Sequence, residues 1–175
     1  MPRRVRLPVA VCHAAPIAAR PDIAIAQEDF DAPDAVVLRA ELEAELVRRY
    51  GADTEPGAKP TASSVALFLV ARDAGGTALG CGALRLLDFG VAEIKRMYVR
   101  PQARGTGRGR QVLAALERHA AILGVQRLVL EAGPEQPEAV ALYERAGYRP
   151  IPCFGAYAGA PLSRCYARQL EPVAR

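Results

Sequence analysis

The stretch YVRPQARGTGRGR at residues 98–110 is the most informative about the fold of this chain. In it, the end of an apolar strand is followed by a segment rich in glycine and arginine. Three alternating glycines, Gly105, Gly107 and Gly109, leave the backbone amides unshielded by side chains. The start of the following helix adds partial positive charge, and the neighbouring arginines add formal charge. The pattern therefore predicts a site for the diphosphate of a small molecule.

Length and composition favour one compact domain. The chain has 175 residues, 51% of them apolar, which is enough to bury a substantial core. The first twenty residues combine basic and apolar side chains, but Pro8 and Pro16 interrupt the apolar run, which is too short to span a bilayer. We expect a disordered tail over residues 1–21, rather than an export signal, and a folded domain over residues 22–172. No membrane partner is expected.

Charge is distributed unevenly along the sequence. Residues 22–55 hold ten carboxylates and three arginines, whereas residues 93–118, around the glycine segment, hold seven basic residues and two carboxylates. The net charge of +4 and the pI near 9.1 are compatible with nucleic-acid binding. Aromatic residues make up only 6% of the chain and tryptophan is missing, so few side chains could stack on bases. We expect no nucleic-acid partner.

The four cysteines predict no special chemistry. Cys12, Cys81, Cys153 and Cys165 have neither the paired spacing of a zinc site nor the density of a disulfide framework. We therefore expect free thiols, a cytoplasmic location and no metal.

Hydrophobic periodicity predicts a mixed α/β domain. A strand at residues 23–27 precedes a helix from about Asp34, which can cap it, to Gly51, with a solvent-side pair between Glu45 and Arg49. Runs at 65–71, 78–87 and 92–99, separated by turn signals, predict an antiparallel meander. A helix then begins at the glycine segment and carries an apolar face that extends to Leu123. The strand predicted at 127–131 follows this helix and should pair in parallel with the strand at 92–99. A helix at 137–146 and strands at 148–151 and 162–170 complete the sheet.

Two familiar phosphate loops do not fit the glycine segment. A Walker-type loop ends in Gly-Lys-Ser/Thr, but Arg108-Gly109-Arg110 occupies that place and supplies no magnesium-binding hydroxyl. A dinucleotide fingerprint has the spacing G-x-G-x-x-G, whereas these glycines run G-x-G-x-G, and no βαβ unit opens the chain.

The segment instead resembles the acetyl-coenzyme A loop of the GNAT N-acetyltransferase superfamily, whose pattern Arg/Gln-x-x-Gly-x-Gly/Ala is matched by RGTGRG at 104–109. EIKRMYVRP at 93–101 is similar to the family's fourth strand, and AVALYERAGY at 139–148 is similar to its A-x-x-L-Y-x-x-x-G-F helix. The resemblance covers nearly all of residues 23–170. It implies a mostly antiparallel sheet with flanking helices and a fourth and fifth strand that splay apart.

The same resemblance implies how acetyl-CoA is held. The backbone of Met97, Tyr98 and Val99 would bind pantetheine like an added strand and polarise the thioester carbonyl. The diphosphate would lie on the backbone amides of the glycine loop, at Arg104, Gly105, Thr106, Gly107, Arg108, Gly109 and Arg110. Gln136 stands where many relatives have an asparagine that touches pantetheine, so the longer amide leaves that contact open.

Two residues are candidates for the chemistry that the family performs. The resemblance implies that Tyr143 is the general acid that protonates the departing thiolate, although a buried aromatic anchor would also fit. It implies that Glu93 is the general base for the amine, often through water; alternatively it is an exposed strand carboxylate paired with Arg96 or Lys95. Nothing resembles a nucleophile paired with a base, so we expect direct transfer from acetyl-CoA to an amine in one ternary complex.

The acceptor is less constrained than the coenzyme. The acidic first helical region could attract a cationic amine such as a polyamine, an aminoglycoside-like compound or a lysine; its carboxylates are Asp29, Asp31, Asp34, Glu41, Glu43 and Glu45. A solvated helix face is the alternative. A strand near residues 162–170 at the sheet edge could also pair in a homodimer. The rival function is a domain that senses acetyl-CoA without turnover.

Overall fold

The computed structural model describes residues 23–53 and 55–171. The tail expected over residues 1–21 and Cys12 lie outside this part. The strands are β1 (Ile23–Gln27), β2 (Leu67–Asp73), β3 (Ala78–Asp88), β4 (Val91–Val99), β5 (Arg127–Ala132), β6 (Arg149–Ile151) and β7 (Arg164–Gln169). The α-helices are α1 (Pro33–Tyr50), α2 (Arg108–Ile122) and α3 (Pro137–Arg145), and short 3-10 turns lie at Ala62–Ser64, Pro101–Ala103 and Gly155–Tyr157.

All seven strands form one sheet in the order β1-β2-β3-β4-β5-β7-β6. The predicted meander is confirmed, because β2, β3 and β4 pair antiparallel in sequence. The predicted parallel pairing of β4 with β5 is also confirmed. The mixed, mostly antiparallel fold expected from the sequence is therefore the fold observed.

The last strand is not at the sheet edge. β7 pairs with β5 on one side, over all six of its residues, and with β6 on the other. The prediction that this strand offers a free edge for a homodimer is wrong, because both of its hydrogen-bonding sides are occupied. The edges of the sheet are β1 and β6.

The helices cover both faces of the sheet. α1 packs Ala35, Leu38 and Leu42 against one face, while α2 and α3 pack on the larger core of the other.

Two details of the helices differ from the sequence prediction. Pro33 begins α1 and Ala32 is its N-cap, so Asp34 lies inside the first turn and forms an ion pair with Arg72. Leu123 is 52% exposed, because α2 ends at Ile122, one residue before it.

The pairing of β4 with β5 stops halfway along β4. The last paired residues are Ile94 and Leu130, so β4 from Lys95 onward has no β5 partner. In β4 the register with β3 also shifts, since Cys81 faces Tyr98 while Ala83 faces Lys95. Arg96 takes a φ of +55° within this bulge, a conformation that non-glycine residues adopt at a cost of about 1–2 kcal/mol. The bulge and the split together open a gap in the sheet.

Gly82 lies opposite the bulge and leaves room for side chains from α2 and β4, because a Cβ at this position would lie 2.7 Å from Leu116 Cδ1 and 2.9 Å from Met97 Sδ. We expect Gly82→Ala to lower the free energy of unfolding by about 1–3 kcal/mol through overpacking. Denaturant unfolding measures this change. Gly75→Ala, in the exposed β2–β3 turn, is the matched control, with an expected change within about 0.5 kcal/mol. Equal midpoints for Gly82→Ala and the parent protein would contradict the packing argument.

Two cysteines are paired. Cys153 and Cys165 form a disulfide with Cα atoms 5.0 Å apart, so the expectation of free thiols is wrong for them. The reason is topological: Cys165 in β7 pairs with Ile151 in β6, and the chain reaches Cys153 two residues later. The cysteine-based argument for a cytoplasmic location therefore does not hold. Within the described ranges, none of the helices has the length and apolar character needed to cross a membrane.

Candidate functional site

The gap in the sheet leads into a cavity of about 610 Å³, which we call the arginine cleft. It is bounded by the C-terminal half of α1, the end of β4, the glycine loop and α3. Five arginines and two glutamates line it: Arg49, Arg104, Arg108, Arg110, Arg145, Glu45 and Glu138. The excess of positive charge suits an anionic ligand.

The glycine loop presents its backbone to the arginine cleft. Gly105 and Gly107 have φ angles of +75° and +83°, which favour glycine, and a Cβ at either position would meet no atom within 4 Å. Gly107 is the N-cap of α2, and no side chain of the described residues caps that helix. The first amides of α2, at Arg108, Gly109 and Arg110, are therefore free of capping partners and available to a diphosphate.

The rest of the loop is held by its own side chains. Thr106 donates its hydroxyl to the carbonyl of Ala103 at 2.7 Å, so the loop offers the backbone of Thr106, rather than its side chain, to a ligand. Gly109 lets α2 approach α3, because a Cβ there would lie 3.3 Å from Leu142 Cδ2. The geometry fits the diphosphate site predicted from the sequence.

The three arginines of the glycine loop, Arg104, Arg108 and Arg110, divide into two groups. Arg104 donates to the carbonyl of Val99 at 2.8 Å and to Glu45 Oε2 at 2.6 Å, so its guanidinium braces the cleft wall. Arg108 and Arg110 make only longer contacts, at 3.2 Å and 3.4 Å, along α2. These two are the side chains best placed to turn toward a phosphate.

Glu45 is not the solvent-side residue expected from the sequence. It pairs with Arg49 as predicted, but it also pairs with Arg104 and lines the arginine cleft. Burial by itself would raise the pKa of Glu45, but hydrogen bonds from Arg104 and Arg49 keep that pKa below its ordinary value. Glu45 thus remains ionised and anchors the two arginines.

The splayed part of β4 forms a second wall of the arginine cleft. Met97, Tyr98 and Val99 all line it, and their strand has no β5 partner at this level. Backbone groups of β4 that point away from β3 are left for a ligand in extended conformation, as in strand addition. The side chain of Tyr98 points into the core beside α1.

Gln136 lies where the arginine cleft meets a second, smaller cavity, and it lines both. It is the N-cap of α3, with its Nε2 atom 3.5 Å from the hydroxyl of Tyr50. That hydroxyl also accepts the amide N–H of Glu135 at 3.1 Å. A Cβ on Gly133 would lie 2.0 Å from it, so the close approach of α1 to this loop requires glycine.

The smaller cavity, of about 110 Å³, is called the carboxylate pocket. Its charged and hydroxyl-bearing walls include Asp53, Glu55, Glu93, Glu131, Lys95, Arg96, Tyr143 and Tyr157. Six residues line both this pocket and the arginine cleft, so the two cavities meet at Leu42, Leu46, Met97, Gln136, Ala139 and Tyr143.

Glu93 is buried in the wall of the carboxylate pocket, with 1% of its surface exposed. Its Oε1 accepts a hydrogen bond from the Tyr157 hydroxyl at 2.8 Å, and that hydroxyl accepts one from Lys95 Nζ at 2.5 Å. Arg85 Nη2 lies 2.6 Å from Oε2 as an ion pair that is not aligned for a hydrogen bond. The alternative of an exposed strand carboxylate is wrong about the exposure, since β4 turns Glu93 toward the pocket, but the ion pair with Lys95 that it predicted is present, with Nζ 3.6 Å from Oε1.

Tyr143 stands at the junction of the two cavities. It is 5% exposed and packs edge-on against Tyr148, with ring centroids 5.9 Å apart. Burial, followed by the nearby charge of Glu131, raises the pKa of Tyr143 well above its ordinary value, so the phenol keeps its proton at neutral pH. Tyr143 is therefore a buried anchor that also lines both cavities.

Sequence reasoning missed most of the carboxylate pocket. Glu55 forms ion pairs at 2.8 Å with both Lys95 and Arg96, but the sequence of its loop has no pattern that predicts these ion pairs. Tyr157 comes from the equally irregular segment between β6 and β7. Glu131 did leave a signal, because it alternates with Leu128 and Leu130 along β5 and must face away from their core.

The acidic residues of the first helical region do not form a free rim at the pocket. Ion pairs hold Asp34 to Arg72, Glu41 to Arg100 and Glu43 to Lys59, and Asp31 lies 3.6 Å from Arg39. Of the acidic residues predicted as a rim, only Glu45 lines either cavity, and it lies on the arginine side. Their predicted role in attracting a cationic acceptor is not supported by this placement.

Cys81 is an inert thiol, as expected from the sequence. It is fully buried, and burial raises its pKa to about 12. Its Sγ donates to the carbonyl of Arg96 at 3.3 Å, behind the bulge. No group of residues suited to hold a metal ion occurs within residues 23–53 and 55–171.

Known proteins share this architecture. The model of the Acetyltransferase (GNAT) family matches residues 25–148. An IAA acetyltransferase of Azospirillum brasilense is 40% identical over 151 residues, covering 82% of this chain and 95% of that protein. The structure of a Klebsiella pneumoniae protein described as an acyl-CoA N-acyltransferase superposes with a TM-score of 0.74 at 34% identity, over 85% of this chain and 98% of the other.

A more distant structure supports the fold alone. A GNAT family acetyltransferase from Elizabethkingia anophelis, solved with acetyl-CoA bound, gives a TM-score of 0.64 at 19% identity, over 86% of this chain and 100% of that one. Together with the open glycine loop and the split sheet, the family match explains the two joined cavities. The chain belongs to the GNAT family and is an acetyl-CoA-dependent N-acetyltransferase.

Proposed function

We propose that this enzyme transfers the acetyl group directly to a primary amine, with both substrates bound at once. The observation that carries the proposal is the meeting of the arginine cleft and the carboxylate pocket at Tyr143 and Gln136. Acetyl-CoA fits the cleft, and the amine fits the pocket, so that its nitrogen reaches the thioester where the cavities join. Direct transfer also agrees with the buried, inert thiol of Cys81.

The chain's own groups would hold the coenzyme as follows. Amides of residues 104–110 and the side chains of Arg108 and Arg110 bind the diphosphate. The free backbone edge of Met97, Tyr98 and Val99 binds the pantetheine arm and polarises the thioester carbonyl. Gln136 lies close enough to the junction for its amide to contact the same arm. Tyr143 donates its proton to the departing thiolate.

The amine must lose a proton before it attacks, since an aliphatic ammonium has a pKa of about 10.4 and no lone pair to offer. Glu93 is the base indicated by the family resemblance, and in this pocket it would act through the Tyr157 hydroxyl or a water. Glu131 is a second carboxylate of the same pocket. A cationic acceptor remains our proposal, now because of these carboxylates rather than the acidic residues of α1.

The test is a turnover assay with a panel of acceptors. Purified protein and acetyl-CoA are incubated with tryptamine, 1,4-diaminobutane, L-lysine, aniline and IAA, and the release of free CoA thiol is followed. IAA is included because the relative from Azospirillum carries it in its name. We expect thiol release with at least one alkylamine and an N-acetylated product by mass spectrometry.

A sensor of acetyl-CoA would behave differently in the same assay. It would bind acetyl-CoA, which calorimetry would detect, but it would release no thiol with any amine. Exclusive turnover of anionic acceptors would overturn the proposal of a cationic substrate. Titration with duplex DNA serves as a further check, because we expect no salt-dependent binding.

A further inference from the structure

The position of Glu131 is set by the point where the sheet divides. Pairing of β4 with β5 ends at Ile94 and Leu130, so Glu131 is the first residue of β5 beyond the split. Leu128, Leu130 and Ala132 face the core under α2 and α3, and strand alternation turns Glu131 to the opposite face. There it lines the carboxylate pocket on the same side as Glu93 and Lys95.

Glu131 differs from the other carboxylates of this pocket in having no cationic partner among the described residues. Asp53 pairs with Lys59, Glu55 pairs with Lys95 and Arg96, and Glu93 pairs with Arg85. Glu131 forms no ion pair and is only partly exposed. A partly buried carboxylate that lines the pocket without an ion-pair partner is available to a cation that enters from outside.

We propose that Glu131 is the catalytic residue that binds the ammonium group of the acceptor and takes its first proton. This inference rests on the proposed function and deepens it. Glu93 then acts as a positioning residue, since it holds the Tyr157 hydroxyl and, with Glu55, the charge of Lys95. The substrate class is a primary alkylammonium whose positive charge is bound by the Glu131 carboxylate inside the pocket.

The proton and bond balance is complete with groups on this chain. The ammonium passes one proton to the Glu131 carboxylate, and the free amine nitrogen attacks the thioester carbon. The new C–N bond forms, the C–S bond breaks, and the sulfur takes a proton from the Tyr143 hydroxyl. The second proton lost by the nitrogen returns to the Tyr143 oxygen, while Glu131 gives its proton to solvent. The products are the N-acetylated amine and CoA thiol.

The surroundings of Glu131 adjust it for this role. Burial raises the pKa of Glu131 above the ordinary value for a glutamate, and the charges of Glu55 and Glu93 act in the same direction, whereas Ser163 and Lys95 oppose the rise. Five charged or titratable side chains face Glu131. Glu55 comes from the loop after α1, Glu93 and Lys95 from β4, Tyr143 from α3, and Tyr157 from the 3-10 turn at Gly155–Tyr157. A carboxylate with a raised pKa is a stronger base at neutral pH.

The test compares Glu131→Gln with Glu144→Gln, a control on the exposed side of α3. With the alkylamine that gives turnover, we expect Glu131→Gln to lower kcat/KM by about 100-fold or more at neutral pH, with the KM for acetyl-CoA unchanged. The control is expected to match the parent enzyme. A purely structural role would instead shift the melting temperature and the affinity for acetyl-CoA.

Two further measurements make the result specific. The first is the dependence of kcat/KM on pH. In the parent enzyme, the fall of kcat/KM at acidic pH should occur at a higher pH than an ordinary glutamate would give. Glu131→Asp should keep this acidic fall, and Glu131→Gln should lose it. The defect of Glu131→Gln should also shrink with aniline, which is not protonated at neutral pH and needs no base before attack. If Glu131→Gln folds poorly, the pH profile and the comparison of alkylamine with aniline in the parent enzyme still test the inference.

The outcomes separate this inference from the proposed function. Turnover of alkylamines by the parent enzyme, combined with unchanged kinetics for Glu131→Gln, would overturn the role of Glu131 and leave the proposed function standing. A large loss confined to Glu93→Gln would assign the base to Glu93 instead. If no amine in the panel is acetylated, the proposed function fails, and the role of Glu131 fails with it.

Discussion

Tyr143→Phe is expected to lower kcat at saturating acetyl-CoA and amine by about 100- to 1,000-fold, as removal of a general acid does. The substitution keeps the ring that packs against Tyr148 and removes only the hydroxyl at the junction of the two cavities. Without that proton donor, the CoA sulfur must leave as a thiolate. Steady-state release of CoA measures the effect, and the KM for acetyl-CoA should change little.

Tyr148→Phe is the matched control for this prediction. Tyr148 is a fully buried neighbour of Tyr143, but it lines neither the arginine cleft nor the carboxylate pocket. Its loss of a hydroxyl should leave kcat within a factor of a few. Equal kcat values for Tyr143→Phe and the parent enzyme would show that Tyr143 is only the buried anchor that the sequence also allowed.

Gly107→Ala is expected to weaken acetyl-CoA binding by about 10- to 100-fold, the value of one or two charge-assisted hydrogen bonds. Gly107 lines the arginine cleft with a φ of +83°, and a Cβ there would meet no atom within 4 Å. The methyl group would occupy that space, and backbone strain would turn the amides at the start of α2 away from the diphosphate. Calorimetric titration with acetyl-CoA measures the loss.

Gly124→Ala separates ligand binding from backbone strain. Gly124 follows the other end of α2, has a φ of +78° and also has open space around its missing Cβ. Both substitutions should lower the free energy of unfolding by about 1–2 kcal/mol, but only Gly107→Ala should weaken acetyl-CoA binding. If the two variants bind acetyl-CoA equally well, the diphosphate does not lie on this loop.

The element types and most of their order were predictable from local patterns. Apolar runs bounded by turn signals predicted β2, β3 and β4, and Gly51 and Gly124 mark the ends of α1 and α2 with positive φ angles. Errors arose where a residue's partner is distant in sequence. Asp34 looked like a helix cap but pairs with Arg72, and Cys153 and Cys165 looked unrelated until β6 and β7 became neighbours.

The candidate site likewise has one part that local sequence patterns predicted and one part that they did not. The proposed coenzyme half could be predicted because one contiguous segment, residues 97–110, supplies both the strand wall and the glycine loop of the arginine cleft. The proposed acceptor half, the carboxylate pocket, is assembled from the loop after α1, the ends of β4 and β5, and the segment before β7. No local pattern relates Glu55, Glu131 and Tyr157, which are separated by 26 residues or more along the chain.

The order of glycines, arginines and apolar residues along one strand and one helix was enough to indicate the family and to predict where acetyl-CoA binds, because backbone amides bind phosphate through local geometry. Which carboxylate is proposed to meet the amine depended on tertiary structure. Ion pairs hold Glu55 and Glu93, whereas Glu131 has no cationic partner among residues 23–53 and 55–171, and such long-range pairing exists only once β4, β5 and the surrounding loops have packed together.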